Sequence, residues 1–259
     1  MRVTSISTPR ISSASTSLLK IIDAAVPDME EGSVLAVTSK IVAIAEGRTV
    51  SIKEIDKHAL IRREAEYYLP PERSKYGITL TIKDDILIPT AGIDESNADE
   101  SYVLWPSDAQ ATANQVREHL ANTFKLQQVG VIITDSKTTP LRFGTTGIAL
   151  AHSGFDALNN YVGKPDIFGR PLKVTRANIM DMLAASAVAV MGEGNEQTPL
   201  AYIQELSFVR FVNRNPTPEE LALLRIGKEN DLYGPLLQGV GWQKGGAGHS
   251  NASGQASER

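Results

Sequence analysis

The sequence predicts a mixed α+β protein, and three observations carry that expectation. Apolar runs of strand length stand at 33–38, 128–134 and 147–151. Helical spacing of apolar residues runs from 108 to 125, and an Ala-rich stretch of helical length ends at Met191. The two kinds of segment alternate only loosely, which fits a mixed sheet better than a strictly parallel, doubly wound one.

Taken in order, Glu31-Gly32 makes the turn that starts the strand 33–38, and residues 38–45 turn into a helix closed by Gly47. Residues 56–69 read as a helix on the spacing of Leu60, Glu64 and Tyr67/Tyr68, ended by Pro70-Pro71. Residues 78–82 and 85–88 read as a hairpin around Lys83-Asp84, followed by a polar loop over 91–101. Ser107 or Asp108 caps the long helix, whose Val116, Leu120 and Phe124 fall at i, i+4 and i+8. Thr175 is expected to cap a helix over 176–191, whose alanines suit close packing, with Gly192 onward as its stop. A strand over 201–206 and a short helix over 219–225 complete the pattern. Residues 1–244 read as the folded unit and 245–259 as a disordered Gly/Ser-rich tail. The tail has too little apolar surface to offset about 1–2 kcal/mol per residue of backbone ordering.

The chain has 259 residues, no cysteine, and 26 Lys+Arg against 30 Asp+Glu, a formal net charge of -4. The missing cysteine excludes disulfides, thiolate zinc sites and a cysteine nucleophile, and it fits a reducing compartment. Mild acidity argues against a nucleic-acid partner, which needs clustered Lys/Arg to displace counterions from phosphates. No stretch approaches the roughly 20 apolar residues of a membrane span, and no apolar leader precedes Lys20 and Asp23. The expectation is a soluble, cytoplasmic protein with neither nucleic acid nor membrane as partner.

A Walker A loop, a Gly-x-Gly-x-x-Gly turn, a nucleophile elbow and His-Glu-x-x-His are all missing. The histidines His58, His119, His152 and His249 are scattered, and a solvated or packed role suits them. Three acids stand out instead. Asp94 follows Ala91-Gly92-Ile93 and precedes Glu95-Ser96-Asn97; Asp135 ends a strand and precedes Ser136; Glu193 lies between Gly192 and Gly194. An acid at a strand end beside a hydroxyl suits Mg²⁺, a hard cation of carboxylate, hydroxyl and water oxygens. The glycines let a phosphate approach backbone N–H groups.

The plainer reading is side-chain turns at the aspartates and a helix stop at Gly-Glu-Gly. Convergence would separate the two readings. Carboxylates ~4 Å apart repel by ~4 kcal/mol at an effective dielectric of about 20, and a cation is needed to hold them together. Lys40, Arg142 and Arg170 are the basic candidates for clamping a phosphate or carboxylate, surface ion pairs being their commoner fate. A metal-and-phosphate site with no nucleophile suits phosphoryl transfer.

The same residues fall into ordered motifs. These are 33–48 (Ser-Val-Leu-Ala-Val-Thr-Ser-Lys-Ile-Val-Ala-Ile-Ala-Glu-Gly-Arg), 91–97, 131–144, 163–175 and 191–199. Over about residues 1–212 the chain resembles the coenzyme F420-0:L-glutamate ligase family, also called F420-0:γ-glutamyl ligases. The resemblance implies a two-domain α+β protomer, an intertwined homodimer, and a GTP site with two divalent cations, Mg²⁺ or Mn²⁺, with K⁺ as a further candidate. It implies an amide bond between the amine of L-glutamate and a carboxylate of a deazaflavin lactyl phosphate precursor, through an acyl phosphate made with GTP.

By position, the resemblance assigns Asp94, Asp135, Ser136 and Glu193 to the metals, and Asp94, Asp135, Glu193 and Arg142 to catalysis. It assigns the nucleotide to the N-terminal turn (Pro9, Arg10, Ile11), to Ser39 and Lys40, to Asn97, and to the 191–198 loop with Met191, Gly192, Gly194 and Asn195. Two departures stand against the family pattern. Asp135-Ser136-Lys137-Thr138-Thr139-Pro140 replaces Asp-Thr-x-Gly-Arg-Pro, and Ala43-Ile44 stands where Ser-Lys is usual. Both remove a cation from the acceptor or phosphate side. A folate-like pterin or an oligoglutamate chain is therefore an alternative acceptor to F420-0, and a non-catalytic GTP- or metal-binding regulator is the alternative from another class.

Overall fold

The computed structural model describes residues 1–11, 16–98 and 100–247. Its elements run β1 (Arg2–Ile6), α1 (Leu18–Ala25), β2 (Ser33–Thr38), α2 (Ser39–Ala45), β3 (Thr49–Ser51), α3 (Lys57–Glu64), β4 (Tyr67–Leu69), β5 (Leu80–Lys83), β6 (Ile86–Pro89), β7 (Ser101–Val103), α4 (Ala109–Phe124), β8 (Val129–Thr138), β9 (Thr145–Ser153), β10 (Leu158–Asn160), β11 (Arg176–Asn178), α5 (Ile179–Met191), β12 (Leu200–Gln204), α6 (Pro218–Ala222), α7 (Gly234–Gln238) and β13 (Gln243–Lys244). The described residues divide into two compact units, one drawn from Met1–Ser51 and Asp94–Arg225, the other from Ile52–Ile93 and the chain from Ile226 onward.

The larger unit is built on a five-stranded sheet in the order β1-β12-β2-β8-β9. Only β2 and β8 run parallel; the other neighbours are antiparallel, so the sheet is mixed, as the loose alternation of segments predicts. Period-two alternation sends β2 residues to opposite faces. Leu35 and Val37 pack with Ile22, Val116 and Leu120 of α1 and α4, whereas Val34 and Ala36 pack with Leu183, Ala184 and Ala187 of α5. Burial on both faces explains why this strand reads as a continuous apolar run. The alanines of α5 allow the close approach expected of them. A Cβ at Gly147 of β9 would stand 2.4 Å from the Ala184 carbonyl oxygen.

The smaller unit carries a four-stranded antiparallel sheet, β13-β4-β5-β6, and the helix α3, whose Leu60 and Ile61 are buried. Asp84 and Asp85, both at positive φ, make the two-residue turn of the β5–β6 hairpin, one residue later than expected. The helix expected over 56–69 stops at Glu64, and Tyr67–Leu69 becomes β4 because it gains β5 on one side and β13 on the other. Similarly, the segment 176–178 pairs with β10 rather than opening α5, and Asn178, not Thr175, caps that helix.

Three residues of the expected 245–259 tail fall among the described residues. Gly245, Gly246 and Ala247 donate their N–H groups to the carbonyls of Glu66, Arg62 and Ala65; Arg62 in the last turn of α3 and its C-cap Ala65 are acceptors that the helix leaves open. A Cβ at Gly245 would lie 2.0 Å from the Ala65 oxygen, so a glycine permits that contact. The rest of the expected tail lies outside the described residues, as does Ser12 beside the N-terminal turn. Among the described residues no helix is long and apolar enough to cross a membrane.

Candidate active site

The site lies in the larger unit, at the C-terminal ends of the parallel pair β2 and β8. Asp135 does not end its strand, as the sequence suggests; β8 continues through it to Thr138. A register shift between Ile133 and Thr134 precedes it, and Asp135 then pairs with Ile148 of β9. The extra residue is Leu150 of β9, and a bulge in one strand of a pair raises the local twist of the ladder. Asp135 receives the Ser136 N–H on Oδ1 at 2.8 Å and the indole N–H of buried Trp105 on Oδ2.

Asp94 is held by an isolated bridge to Val103, with N–H···O distances of 2.9 and 2.8 Å in the two directions. Its Oδ1 accepts from both the N–H and the hydroxyl of Ser96 at 2.8 Å, and its Oδ2 meets the ammonium of Lys40. Lys40 is the second residue of α2, the helix that follows β2 directly, and its ammonium also donates to the Ser96 carbonyl at 3.1 Å.

Glu193 follows the C-cap of α5. One carboxylate oxygen accepts from the Ser136 hydroxyl at 3.1 Å and the other from the Thr145 hydroxyl at 3.2 Å. Asn97 donates its amide to the Gly194 carbonyl at 2.9 Å, and Thr8 donates its N–H to the Gln197 carbonyl at 3.0 Å. The Asp94 loop and the N-terminal turn thus both meet the 191–198 loop. Gly192 stands at φ +80°, and a Cβ there would fall 2.4 Å from the Glu196 side chain. The Glu196 carboxylate folds back onto this loop and accepts the Gly194 N–H at 2.8 Å.

Electrostatics separate the two aspartates. Burial pushes the Asp135 carboxyl up to about 6 against the Ser136 and Trp105 donors; the negative charge of Asp94 adds to the rise and Lys40 opposes it. Burial also pushes Asp94 up, but the hydrogen bond and charge of Lys40, with the Ser96 donors, outweigh it and leave Asp94 below the ordinary carboxylate value. Asp135 therefore senses the charge of Asp94, with Lys40 as the cation acting on both.

The three acids do not gather around one point. Among the described residues no group of three His, Cys, Asp or Glu side chains is spaced to hold a single ion. Strand alternation is the reason: Asp135 turns toward Trp105 and Lys40, while its neighbour Ser136 turns toward Glu193. The donors fall into two sets, Asp94 with Asp135 and Ser136 with Glu193. All are hard oxygens, a donor chemistry that fits Mg²⁺ or Mn²⁺ and not a thiolate-seeking metal.

Ser39 is buried beside Lys40, Met191 is buried at the end of α5, and Pro9, Arg10 and Asn195 are exposed, with Ile11 half-buried under the N-terminal turn. Arg142 is not brought to the acids. It sits on the exposed β8–β9 connection, where its N–H closes a turn on Thr139 at 3.2 Å. Arg170 pairs with Asp166 at 3.1 Å in the β10–β11 connection. Trp105, Ser96, Thr145 and Glu196 went unnoticed in the sequence. Ser96 and Glu196 lie in the quoted motifs; Trp105 and Thr145 carry no local signal.

Acid and hydroxyl oxygens beside a glycine-bearing loop, past the ends of the paired parallel strands, make a class of site built from hard oxygen donors. Known proteins make that class specific. The family model described as F420-0:Gamma-glutamyl ligase matches residues 5–205. The chain is similar to the protein named coenzyme F420:L-glutamate ligase of Methanopyrus kandleri, 34% identical over 195 residues, which is 69% of this chain and 77% of the relative. The protein of that name from Archaeoglobus fulgidus is 32% identical over 193 residues, with the same two shares of 69% and 77%. One from Methanococcus maripaludis is 38% identical over 127 residues, 49% of this chain and 51% of the relative. The chain belongs to the F420-0:γ-glutamyl ligase family.

Proposed function

We propose that this chain joins L-glutamate, through its amine, to the carboxylate of F420-0 in the cytoplasm, in a reaction that consumes GTP and requires Mg²⁺ or Mn²⁺. The observation that supports this reading is the two sets of hard oxygen donors, Asp94 with Asp135 and Ser136 with Glu193, each tied to or next to the 191–198 loop that carries Gly192 and Gly194. In the reaction proposed, a carboxylate oxygen of the acceptor attacks the γ-phosphorus of GTP and the bond to GDP breaks. The glutamate amine then attacks the acyl carbon, the C–N bond forms, the C–O bond to phosphate breaks, and the amine loses a proton.

Divalent cations would neutralise charge on the phosphates. Asp94 with Asp135, and Ser136 with Glu193, would hold them. Lys40 would orient the nucleotide, Asn97 would fix the Asp94 loop against the 191–198 loop, and the Gly192 and Gly194 backbone would face phosphate oxygens. Leu141 and Phe143, each 103% exposed, and Ile167, 92% exposed, supply apolar surface for the homodimer we include in this reading.

Thr138 and Thr139, where the family pattern has Gly and Arg, favour a second reading of the acceptor as a pterin or oligoglutamate carboxylate. Glutamate- and GTP-dependent phosphate release with Mn²⁺, assayed over F420-0, folates and oligoglutamate with products read by mass, tests both. A glutamate mass increment on F420-0 supports the first reading; an increment only on another acceptor keeps the chemistry and changes the substrate. GTP binding without turnover on any acceptor would overturn both in favour of a regulator.

A further inference from the structure

The Asp135 carboxylate is fixed from two sides. Its Oδ1 accepts the Ser136 N–H at 2.8 Å, and its Oδ2 accepts the indole N–H of Trp105. The terminal torsion of an aspartate is broad, so one donor would leave the carboxylate free to turn; donors on both oxygens do not. Each oxygen keeps a further lone pair for another partner.

Trp105 is itself anchored. It is 3% exposed, and its carbonyl accepts from Nε of Arg48 at 3.2 Å. The preceding Leu104 donates its N–H to the Arg48 carbonyl at 3.0 Å. Arg48, just past the end of α2, therefore anchors the backbone that carries the indole, and the indole N–H meets the carboxylate. A buried tryptophan usually finds some acceptor for its N–H, and a backbone carbonyl would satisfy it. Here the acceptor is the carboxylate of the candidate metal site.

We infer that Trp105 is a positioning residue, whose indole N–H holds the Asp135 carboxylate in the orientation that receives a divalent cation. The inference rests on the proposed role of Asp135 as a metal ligand. Groups that hydrogen-bond a ligating side chain typically change metal affinity by roughly 10- to 100-fold when removed.

The test is Mn²⁺ binding by the full chain without nucleotide, read from the electron paramagnetic resonance signal of free Mn²⁺. Three variants are compared with the wild type. Trp105→Phe removes the donor and part of the ring. Replacement of Trp105 by 3-benzothienylalanine keeps the shape of the ring and substitutes sulfur for N–H, so the test survives if the Phe variant does not fold. Asp135→Asn reports on the ligand itself. The expected result is a Mn²⁺ dissociation constant raised roughly 10- to 100-fold by either change at 105. Wild-type affinity in the benzothienyl variant would overturn the inference, because ring packing without the N–H would then suffice. Equal Mn²⁺ binding by wild type and Asp135→Asn, or none by wild type, would instead overturn the reading of Asp135 as a ligand, and this inference with it.

Discussion

The Lys40 ammonium is paired with Oδ2 of Asp94 and donates at 3.1 Å to the carbonyl of Ser96, so the acid that ends the Asp94 loop already carries its own cation. A divalent ion at Asp94 must compete with that ammonium, whereas a nucleotide phosphate would gain from it. Lys40→Gln therefore has opposite expected effects on the two ligands. Binding of Mn²⁺ alone should tighten severalfold, while GTP affinity should fall roughly tenfold or more, the scale of one charge-assisted hydrogen bond. Calorimetric titration of each ligand separately checks this; parallel losses for both would contradict it.

Asp135 is an acid whose folded value, about 6, lies above its ordinary 3.8. For a raised carboxyl the ionised form is disfavoured by folding, so the group costs stability above its ordinary value and that cost is fully present above about 6. Asp135→Asn should raise the stability of the ligand-free protein at pH 7.5 by on the order of 1 kcal/mol, discounted for its partial exposure and its coupling to Lys40. The same variant should lose Mn²⁺ binding and ligation. Denaturant melts and the binding assay together test the pair of outcomes; a destabilised variant would contradict the electrostatic account.

Glu196 places an anion on the loop proposed to meet phosphate, accepting the Gly194 N–H at 2.8 Å. Glu196→Ala should free that donor and tighten GTP binding severalfold with little change in Mn²⁺ affinity. Gly192→Ala should do the reverse. Its φ of +80° strains any Cβ by about 1–2 kcal/mol, and the added carbon would stand 2.4 Å from the Glu196 side chain, so thermal stability and nucleotide affinity should both fall.

His152 is 2% exposed, stacks edge-on against Phe155 at 5.3 Å, and its Nδ1 has no hydrogen-bond partner among the described residues. Burial pushes it down from 6.5 to about 4, against a small upward pull from Glu220. Between those values the unfolded chain binds a proton that the folded chain does not. Its stabilising contribution is therefore intact above pH 6.5 and lost as pH falls toward 4, by up to about 3 kcal/mol. His152→Leu should flatten the unfolding free energy across that window; an unchanged slope would assign the acid sensitivity elsewhere.

The β8–β9 connection carries Leu141 and Phe143 fully in solvent. If these residues serve the homodimer, the double variant Leu141→Ser, Phe143→Ser should sediment as a monomer at micromolar concentration with its melting temperature little changed. A wild-type monomer in the same experiment would remove the dimer from the proposed function.

Much of the larger unit was legible because its signals are local. The apolar run of β2, the capping Asp108 of α4 and the alanines of α5 each state their role within a few residues. The segments left unread or misread depend on distant partners. β1, with its polar Arg2, Thr4 and Ser5, is a strand because β12, far away in the sequence, pairs with all five of its residues, and Tyr67–Leu69 is a strand because β5 and β13 flank it.

For the site, the sequence by itself determined the chemistry: which oxygens are present, beside which glycines, and in motifs that mark the family. The tertiary structure decided how they are divided. Side chains alternate across a strand, so adjacent Asp135 and Ser136 serve opposite sides, just past the register shift where Leu150 of β9 has no partner in β8. Which groups meet them was likewise outside the reach of local pattern. Lys40 reaches Asp94, Trp105 reaches Asp135 and Thr145 reaches Glu193 only because separate loops end at the same edge of the sheet, and hydrogen bonds between such loops leave no spacing for a sequence to display.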